Sequence, residues 1–247
     1  MRKINHIASV KQAGVDKQRF KEFITVIILS ENHGYRMKSY GSMPLIKIKD
    51  KTLLEKQVEV IKSTFLNYEI ILCAGFEVKK IKEFVKKNLS HENIRIIENQ
   101  VHYNSNCCES ARLCLNNTMN NKILFLSGGL FLNPEFLSSI DFNSSSIVVQ
   151  NENPTKNFEI SGIFNRERLA SLCLGEKKDF WTESVFLRGD ETVEKFYNII
   201  SNPDFKNKFL FEAINELNRV NQISVNKNIG APVLKINNLK SLRETNK

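Results

Sequence analysis

The sequence has few of the features that mark membrane-spanning or exported proteins. Its longest apolar runs, such as Ile24–Leu29, fall far short of the roughly 18 to 20 residues that a bilayer requires. The N-terminus is basic and polar and contains no apolar signal core. These absences predict a cytoplasmic or otherwise intracellular protein that has no membrane span and is not exported by a signal peptide.

Cysteine is sparse and shows no metal-binding or redox pattern. The five cysteines include no C-x-x-C pair, and their odd number argues against the disulfide framework of a secreted domain. The adjacent Cys107 and Cys108 lack histidine and carboxylate ligands at metal-binding spacing. We therefore interpret them as packing residues and expect no metal site there.

Positive charge is in excess, since the formal net charge is +9. Such a balance favours contact with an anionic surface, a nucleotide or an acidic protein. Five lysines are spaced as the solvated face of one helix: Lys79, Lys80, Lys82, Lys86 and Lys87. Aromatic residues do not interleave with the basic ones as in an RNA-binding sheet, which argues against nucleic acid as the partner.

The first half of the chain alternates strand and helix patterns. The continuous apolar run Ile24–Leu29 is typical of a central parallel strand covered on both faces. Thr52 is a candidate N-cap for a helix through about Phe65. Further strands are predicted at Glu69–Cys73, Asn93–Ile97 and Ile123–Leu126, and helices at Val78–Asn88 and Cys107–Met119. This alternation predicts an α/β fold with a mostly parallel central sheet flanked by helices.

The second half is less regular. Its patterns predict strands at Ser146–Val149, Phe158–Phe164 and Val233–Ile236, and helices at Glu167–Cys173, Thr192–Ile200, Phe205–Val220 and Leu239–Glu244. No internal repeat and no glycine- or proline-rich linker separates the halves, so we expect them to share one sheet. We therefore divide the chain into a basic N-terminal arm, residues 1–22, and one domain, residues 23–247.

A polar loop follows the first strand and contains Gly34 and Arg36. In α/β proteins a loop at this position commonly binds phosphate, because backbone amides and a helix N-terminus converge there. This loop has few glycines for that task. Its position makes it a candidate phosphate-binding loop, and its composition places side chains where backbone amides would approach a phosphate.

Several motifs in order give the chain a family resemblance. LSENHGYRM, from Leu29 to Met37, is similar to L-A-A-G-x-G-[ST]-R-M, and SMPLIKIKDKTLLE, from Ser42 to Glu55, to the P-K segment that follows it. ENQVHYNSNCCESARL, LSGGLFLNP, FEAINEL and KINNLKSL resemble later motifs of the same family. The chain thus resembles the nucleotidyltransferases that activate sugar phosphates and phosphocholine with a nucleoside triphosphate, which have a Rossmann-like fold.

The resemblance also identifies which family residues are replaced. The lysine of the P-K motif, which neutralises phosphate charge, is Met43 here, and the magnesium-binding aspartates are Gly129 and Asn237. The glutamate of the last motif is Lys235. A thioether cannot offset developing negative charge, and magnesium is held by anionic oxygens. These departures imply that the catalytic positions are degenerate.

Three hypotheses follow from this comparison. The leading one is a catalytically degenerate nucleotidyltransferase-like domain that binds a protein partner or forms part of a larger assembly, with no cofactor and with the N-terminal arm as a possible contact. The second is an active magnesium-dependent nucleotidyltransferase, a cytidylyltransferase for phosphocholine or a sugar phosphate. The third is nucleotide binding without turnover. The last two would use magnesium and a nucleoside triphosphate, with nucleotide contacts from Gly34, Arg36, Asn106 and Glu212.

Overall fold

A computed structural model of the chain describes residues 20–31, 37 and 40–245. The strands are β1 (Phe20–Ser30), β2 (Lys47–Ile48), β3 (Lys51–Thr52), β4 (Phe65–Ala74), β5 (Ile94–Glu98), β6 (Lys122–Ser127), β7 (Leu130–Phe131), β8 (Ser146–Gln150), β9 (Ile160–Asn165), β10 (Arg168–Leu174), β11 (Phe180–Arg188), β12 (Ser224–Lys227) and β13 (Leu234–Lys235). The helices are α1 (Leu53–Thr64), α2 (Val78–Asn88), α3 (Cys107–Leu115), α4 (Pro134–Ser138), α5 (Asp190–Ser201), α6 (Leu210–Val220) and α7 (Leu239–Thr245). None of the helices in this part of the chain is long and apolar enough to cross a membrane.

One nine-stranded sheet joins the two halves of the chain, as expected. Its strand order is β5-β4-β1-β6-β11-β8-β12-β10-β9. The strands β5, β4, β1 and β6 are parallel, whereas β11 runs antiparallel to both β6 and β8. The sheet is therefore mixed, and the prediction of a mostly parallel Rossmann-like sheet holds for the first half only.

Strand β1 lies near the middle of the parallel half and is covered on both faces. Ile24, Val26 and Ile28 pack on the side of α1, α2 and α4, and Ile27 packs on the side of α3, α5 and α6. A strand buried on both faces needs apolar residues at consecutive positions. This requirement explains the continuous apolar run in the sequence.

Helix α1 begins where the sequence predicts. The Thr52 hydroxyl accepts a hydrogen bond from the Glu55 N–H at 3.2 Å, and the Glu55 carboxylate accepts one from the Thr52 N–H at 2.7 Å. This reciprocal capping box satisfies two of the backbone donors that a helix N-terminus leaves unpaired. It fixes the chain direction after the segment that carries Met43.

The predicted helix Glu167–Cys173 is wrong, because this segment forms β10. Leu169 and Leu172 are buried on one side of the strand although they are three residues apart. A register irregularity against β9 falls between Leu169 and Ser171. An extra residue in a strand changes the two-residue alternation of faces, so the burial pattern mimics a helix.

The predicted arm overlaps the first strand, since Phe20–Glu22 belong to β1. The Phe20 ring packs against Phe65 and Phe142, with centroid distances of 6.0 and 4.7 Å. The other residues of the arm, 1–19, lie outside the described part of the chain. The loop residues Gly34 and Arg36 do so as well, and their predicted contacts with nucleotide stay predictions.

Candidate functional site

A cleft of about 520 Å³ opens beside the carboxyl ends of the parallel strands β1 and β6. This edge is where α/β sheets commonly bind ligands. Its residues come from the ends of β1 and β6, from β9, β11 and β13, and from the starts of α3 and α6. The lining residues are Leu29, Ser30, Glu31, Met43, Asn106, Cys107, Ser127, Gly129, Glu159, Ile160, Leu174, Trp181, Glu183, Phe209, Leu210, Phe211, Lys235, Ile236 and Asn237.

The three positions singled out as degenerate lie together in this cleft. Met43, Gly129 and Asn237 all line it, although they are far apart in the sequence. Lys235 lines it as well. The motif comparison therefore identified residues of one site, which composition and periodicity alone could not have connected.

Met43 belongs to a small apolar cluster at the side of the cleft. It is buried, in a 3₁₀ turn formed by Met43–Leu45, and shares the cluster with Met37, Leu53 and Ile236. A lysine in this place would have to extend its ammonium out of an apolar environment to reach solvent. The local packing thus suits the thioether.

Gly129 lies against the backbone of the segment after β13. Its carbonyl accepts a hydrogen bond from the Ile236 N–H at 2.8 Å, and a Cβ atom on Gly129 would be 2.9 Å from the Ile236 carbonyl oxygen. Such a contact is closer than carbon and oxygen normally approach, so any side chain here would require a backbone shift. An aspartate does not fit without that shift.

The side-chain amide oxygen of Asn237 is hydrogen-bonded within the protein. Its Oδ1 accepts a hydrogen bond from Asn238 Nδ2 at 2.7 Å, and its backbone N–H donates to Ser241 Oγ at 3.3 Å. Asn238 Nδ2 also donates to Asn157 Oδ1 at 3.0 Å. The Asn237 side chain therefore belongs to a neutral network that leads into α7.

Glu183 is a cleft carboxylate that the sequence analysis missed. It forms an ion pair with Lys235, and the two side chains are only 23% and 21% exposed. Glu183 has a φ of 56°, in the left-handed region that residues other than glycine rarely adopt. The combination of a strained backbone and a partly buried ion pair indicates that the surrounding structure fixes this carboxylate in place.

The strain at Glu183 comes from a bulge in β11. Between the pairs Trp181–Val149 and Val185–Ile147, β11 has three residues where β8 has one. The Thr182 hydroxyl donates to the Val148 carbonyl at 2.9 Å, and Trp181 Nε1 donates to the Ser184 carbonyl at 2.9 Å. Bulges of this kind redirect side chains beside functional sites.

The described residues of the cleft do not fit a magnesium ion. Gly129 has no side chain, the Asn237 amide oxygen is hydrogen-bonded, and the Lys235 ammonium occupies the neighbourhood of Glu183. Within residues 20–31, 37 and 40–245, no three His, Cys, Asp or Glu side chains are grouped as a metal site. Magnesium prefers several anionic oxygens in octahedral geometry, which this donor set does not supply.

Glu31 forms part of the wall of the cleft just after β1. It is buried, with 4% exposure, and this burial raises the pKa of its carboxyl, while hydrogen bonds from its own backbone and from the Ser110 side chain oppose the rise. A carboxyl with a raised pKa carries less negative charge near neutral pH than an exposed one. The Glu31 backbone carbonyl also accepts a hydrogen bond from the Phe76 N–H at 3.0 Å, which ties this residue to the turn after β4.

Asn106 and Glu212 have structural roles at helix starts. Asn106 lines the cleft, and its side chain accepts a hydrogen bond from the Cys107 N–H at 2.8 Å as the N-cap of α3. Glu212 accepts a hydrogen bond from the Phe209 N–H at 2.8 Å and pairs with Lys208. Of the two, only Asn106 is among the cleft residues, and the predicted nucleotide contacts of both stay predictions.

The adjacent cysteines pack between α3 and α6, as the sequence analysis expected. Cys108 donates a hydrogen bond from its thiol to the Phe209 carbonyl at 3.3 Å, and Cys107 accepts one from the Leu210 N–H at 3.1 Å. Burial raises the pKa of the Cys108 thiol to about 12 and that of Cys107 well above its usual range. Both thiols therefore stay protonated near neutral pH and are poor nucleophiles.

The comparisons with known proteins agree on the fold. No protein-family model matches the chain, and no curated protein matches it. Among solved structures, CTP:phosphocholine cytidylyltransferase from Streptococcus pneumoniae (LicC) is similar, with a TM-score of 0.75 and 17% identity over 90% of this chain and 97% of that one. The inositol-1-phosphate CTP transferase from T. maritima follows with a TM-score of 0.73 and 14% identity, over 88% and 90%.

A UDP-glucose pyrophosphorylase in complex with UDP-glucose is also similar, with a TM-score of 0.72 and 9% identity over 91% of this chain and 97% of that one. The resemblance to the nucleotidyltransferases is thereby confirmed for the fold. At such low identity, the likeness does not extend to activity, because one fold hosts many functions.

Proposed function

We propose that this chain is a catalytically inactive nucleotidyltransferase-like domain that binds a partner protein, as a component of a larger assembly. The observation that carries the proposal is the meeting of Met43, Gly129, Asn237 and Lys235 in one cleft. If the resemblance is followed residue by residue, these four positions correspond to the phosphate-neutralising lysine, the two magnesium aspartates and an accompanying glutamate.

Electrostatics support this proposal. Transfer of a nucleotidyl group places additional negative charge on phosphate oxygens, and catalysis requires fixed positive charge directed at them. The one cation among the described cleft residues is Lys235, whose ammonium is neutralised by Glu183. Glu159 adds a further carboxylate to the wall. A triphosphate would thus meet more carboxylates than cations in the described part of the cleft.

A second candidate function is nucleotidyl transfer from a shifted site, or nucleotide binding without turnover. The observation that favours it is the cleft itself, since about 520 Å³ remains open beside the first strand. This volume lies in the range of about 300–1,000 Å³ that is typical of small-molecule sites. In this case Asn106 would contact the nucleotide from the start of α3, together with Gly34 and Arg36 in the preceding loop.

Nucleotide titrations separate these functions. Trp181 is the only tryptophan of the chain and lines the cleft, so its fluorescence reports directly on occupancy. CTP, UTP, ATP and GTP are titrated with and without magnesium, and thermal unfolding is measured in parallel. A ligand at a hundredfold excess over its Kd stabilises the folded state by about 2.7 kcal/mol, which is easily detected. We expect no saturable fluorescence change and no stabilisation by any nucleotide.

The outcomes discriminate clearly. Saturable binding without pyrophosphate release would replace our proposal with nucleotide binding, and magnesium-dependent pyrophosphate release would replace it with catalysis.

The role of the N-terminal arm is tested by a separate experiment. Deletion of residues 1–22 should weaken assembly or partner binding while the domain remains folded. If partner binding is unaffected by this deletion, the arm is not a contact.

A further inference from the structure

We infer that the cleft is itself the docking site for the partner, and that it receives a lysine or arginine side chain flanked by an aromatic or aliphatic residue of the partner protein. The inference rests on the proposed function, since a catalytic cleft would be reserved for nucleotide. Three properties of the cleft support it: the charge of its described residues, the exposed carboxylate of Glu159 and the exposed apolar rim.

The described residues of the cleft have a net charge opposite in sign to that of the whole chain. Among the described cleft residues, the carboxylates of Glu159 and Glu183 outnumber the single ammonium, that of Lys235. The formal net charge of the chain is +9. A concave surface of one sign lined by apolar walls attracts groups of the opposite charge. These described residues therefore favour a basic group over a phosphate.

The ion pair between Glu183 and Lys235 demonstrates that the cleft can hold an alkylammonium. The bulge in β11 fixes Glu183 in its left-handed conformation, and Lys235 reaches it from β13. Glu159, just before β9, is exposed and makes no ion pair within residues 20–31, 37 and 40–245. It is therefore available to an incoming cation at the mouth of the cleft.

The rim of the cleft is apolar and exposed. Leu174 is 65% exposed and Phe209 is 55% exposed, although both line the cleft. The rings of Phe209 and Phe211 are stacked with a centroid distance of 6.1 Å and an interplanar angle of 22°. Aromatic faces attract ammonium and guanidinium groups, and exposed apolar residues beside a concave site are typical of interaction surfaces.

The apolar rim and the carboxylates together specify the occupant. The exposed apolar rim favours an occupant with apolar groups beside its cation, and the Glu159 carboxylate favours an occupant that donates hydrogen bonds. Guanidinium and ammonium groups donate several hydrogen bonds to carboxylates, whereas a quaternary ammonium donates none. An arginine or lysine between apolar residues of a partner protein meets both requirements.

Capped tripeptides test this inference without knowledge of the partner. Acetyl-Phe-Arg-Phe-amide, acetyl-Phe-Gln-Phe-amide and acetyl-Phe-Glu-Phe-amide are titrated into the full chain, with Trp181 fluorescence as the signal. We expect the arginine peptide to bind about tenfold more tightly than the glutamine peptide, the effect of one charge-assisted hydrogen bond. The glutamate peptide should bind weakest.

The variant Glu159→Gln removes the carboxylate at the mouth and should abolish most of the advantage of arginine over glutamine. Its matched control is Glu83→Gln, the same change at an exposed position on α2 that is not part of the cleft, and it should leave the advantage intact. Because both glutamates are exposed, neither variant is expected to impair folding.

Equal affinities for the arginine and glutamine peptides, or no saturable signal with any of them, would overturn the inference. Binding of phenethylamine without binding of the arginine peptide would also overturn it, in favour of a small free amine. An arginine advantage that survives Glu159→Gln would overturn it too, because the cation would then not be bound by the Glu159 carboxylate. Magnesium-dependent pyrophosphate release in a parallel assay would instead refute the proposed function on which the inference rests.

Discussion

Glu183 allows the energy of backbone strain to be separated from the energy of the ion pair. In the variants Glu183→Ala and Glu183→Gly, the carboxylate that pairs with Lys235 is removed in both cases. They differ in the cost of the left-handed backbone conformation at φ 56°. This conformation is unfavourable for alanine and nearly free of strain for glycine. The difference between the two variants therefore reports the strain, reduced by the greater backbone entropy that glycine has in the unfolded chain.

The expected magnitudes follow from the local geometry. A left-handed conformation costs a residue with a Cβ atom roughly 1–2 kcal/mol, and the backbone entropy of glycine offsets about 0.5–1 kcal/mol of this, so Glu183→Gly should be more stable than Glu183→Ala by about 1 kcal/mol. The ion pair with Lys235 is neither fully exposed nor fully buried. Exposed ion pairs contribute about 0–1 kcal/mol to stability, and breaking a buried pair costs about 3–5 kcal/mol. We therefore expect Glu183→Gln to lower the free energy of unfolding by about 2 kcal/mol.

Urea unfolding followed by Trp181 fluorescence measures these free energies of unfolding. The control pair is Glu83→Ala and Glu83→Gly on α2, where glycine should instead be less stable by about 1 kcal/mol because the position is helical. The sign of the glycine–alanine difference should thus reverse between the two sites. If Glu183→Gly proves no more stable than Glu183→Ala, the bulge does not strain Glu183 and our account of it is wrong.

Three further predictions concern other parts of the site. Thr52→Ala should cost about 1 kcal/mol of unfolding free energy by removing the cap of α1, whereas Thr52→Ser should cost little. Gly129→Ala should lower the melting temperature, because its Cβ would be 2.9 Å from the Ile236 carbonyl oxygen; an unchanged melting temperature would contradict this contact. The raised pKa of Glu31 means that the folded state holds the proton more tightly, so stability should fall as pH rises above about 4.3, and Glu31→Gln should flatten this decline.

The first half of the fold could be predicted because its local signals agree with its tertiary contacts. Strand β1 is buried on both faces and therefore has a continuous apolar run, and α1 has a recognisable capping box. In β10 and β11 the register irregularities break the two-residue alternation, so Leu169 and Leu172 mimic a helix and the segment around Glu183 shows no strand pattern. Bulges depend on pairing partners that local sequence does not reveal.

The residues of the cleft were likewise identified where a local sequence motif marks them, and missed where their position depends on strand pairing. Met43, Gly129 and Asn237 were identified because each lies in a motif whose order along the chain is recognisable. The partner of Lys235 was not identified, because Glu183 reaches the cleft only through the left-handed bulge of β11. The close approach between Gly129 and Ile236 likewise depends on the pairing of β7 with β13.

The absence of nucleotidyl transfer is tested most directly by a pyrophosphate-release assay. The full chain is incubated with magnesium, each of CTP, UTP, ATP and GTP, and either phosphocholine, inositol 1-phosphate or glucose 1-phosphate as acceptor. Our account predicts no pyrophosphate above the rate without protein, because the cleft offers no fitting magnesium site in its described residues and its lysine is paired with Glu183. Magnesium-dependent release with any pair of substrates would contradict it.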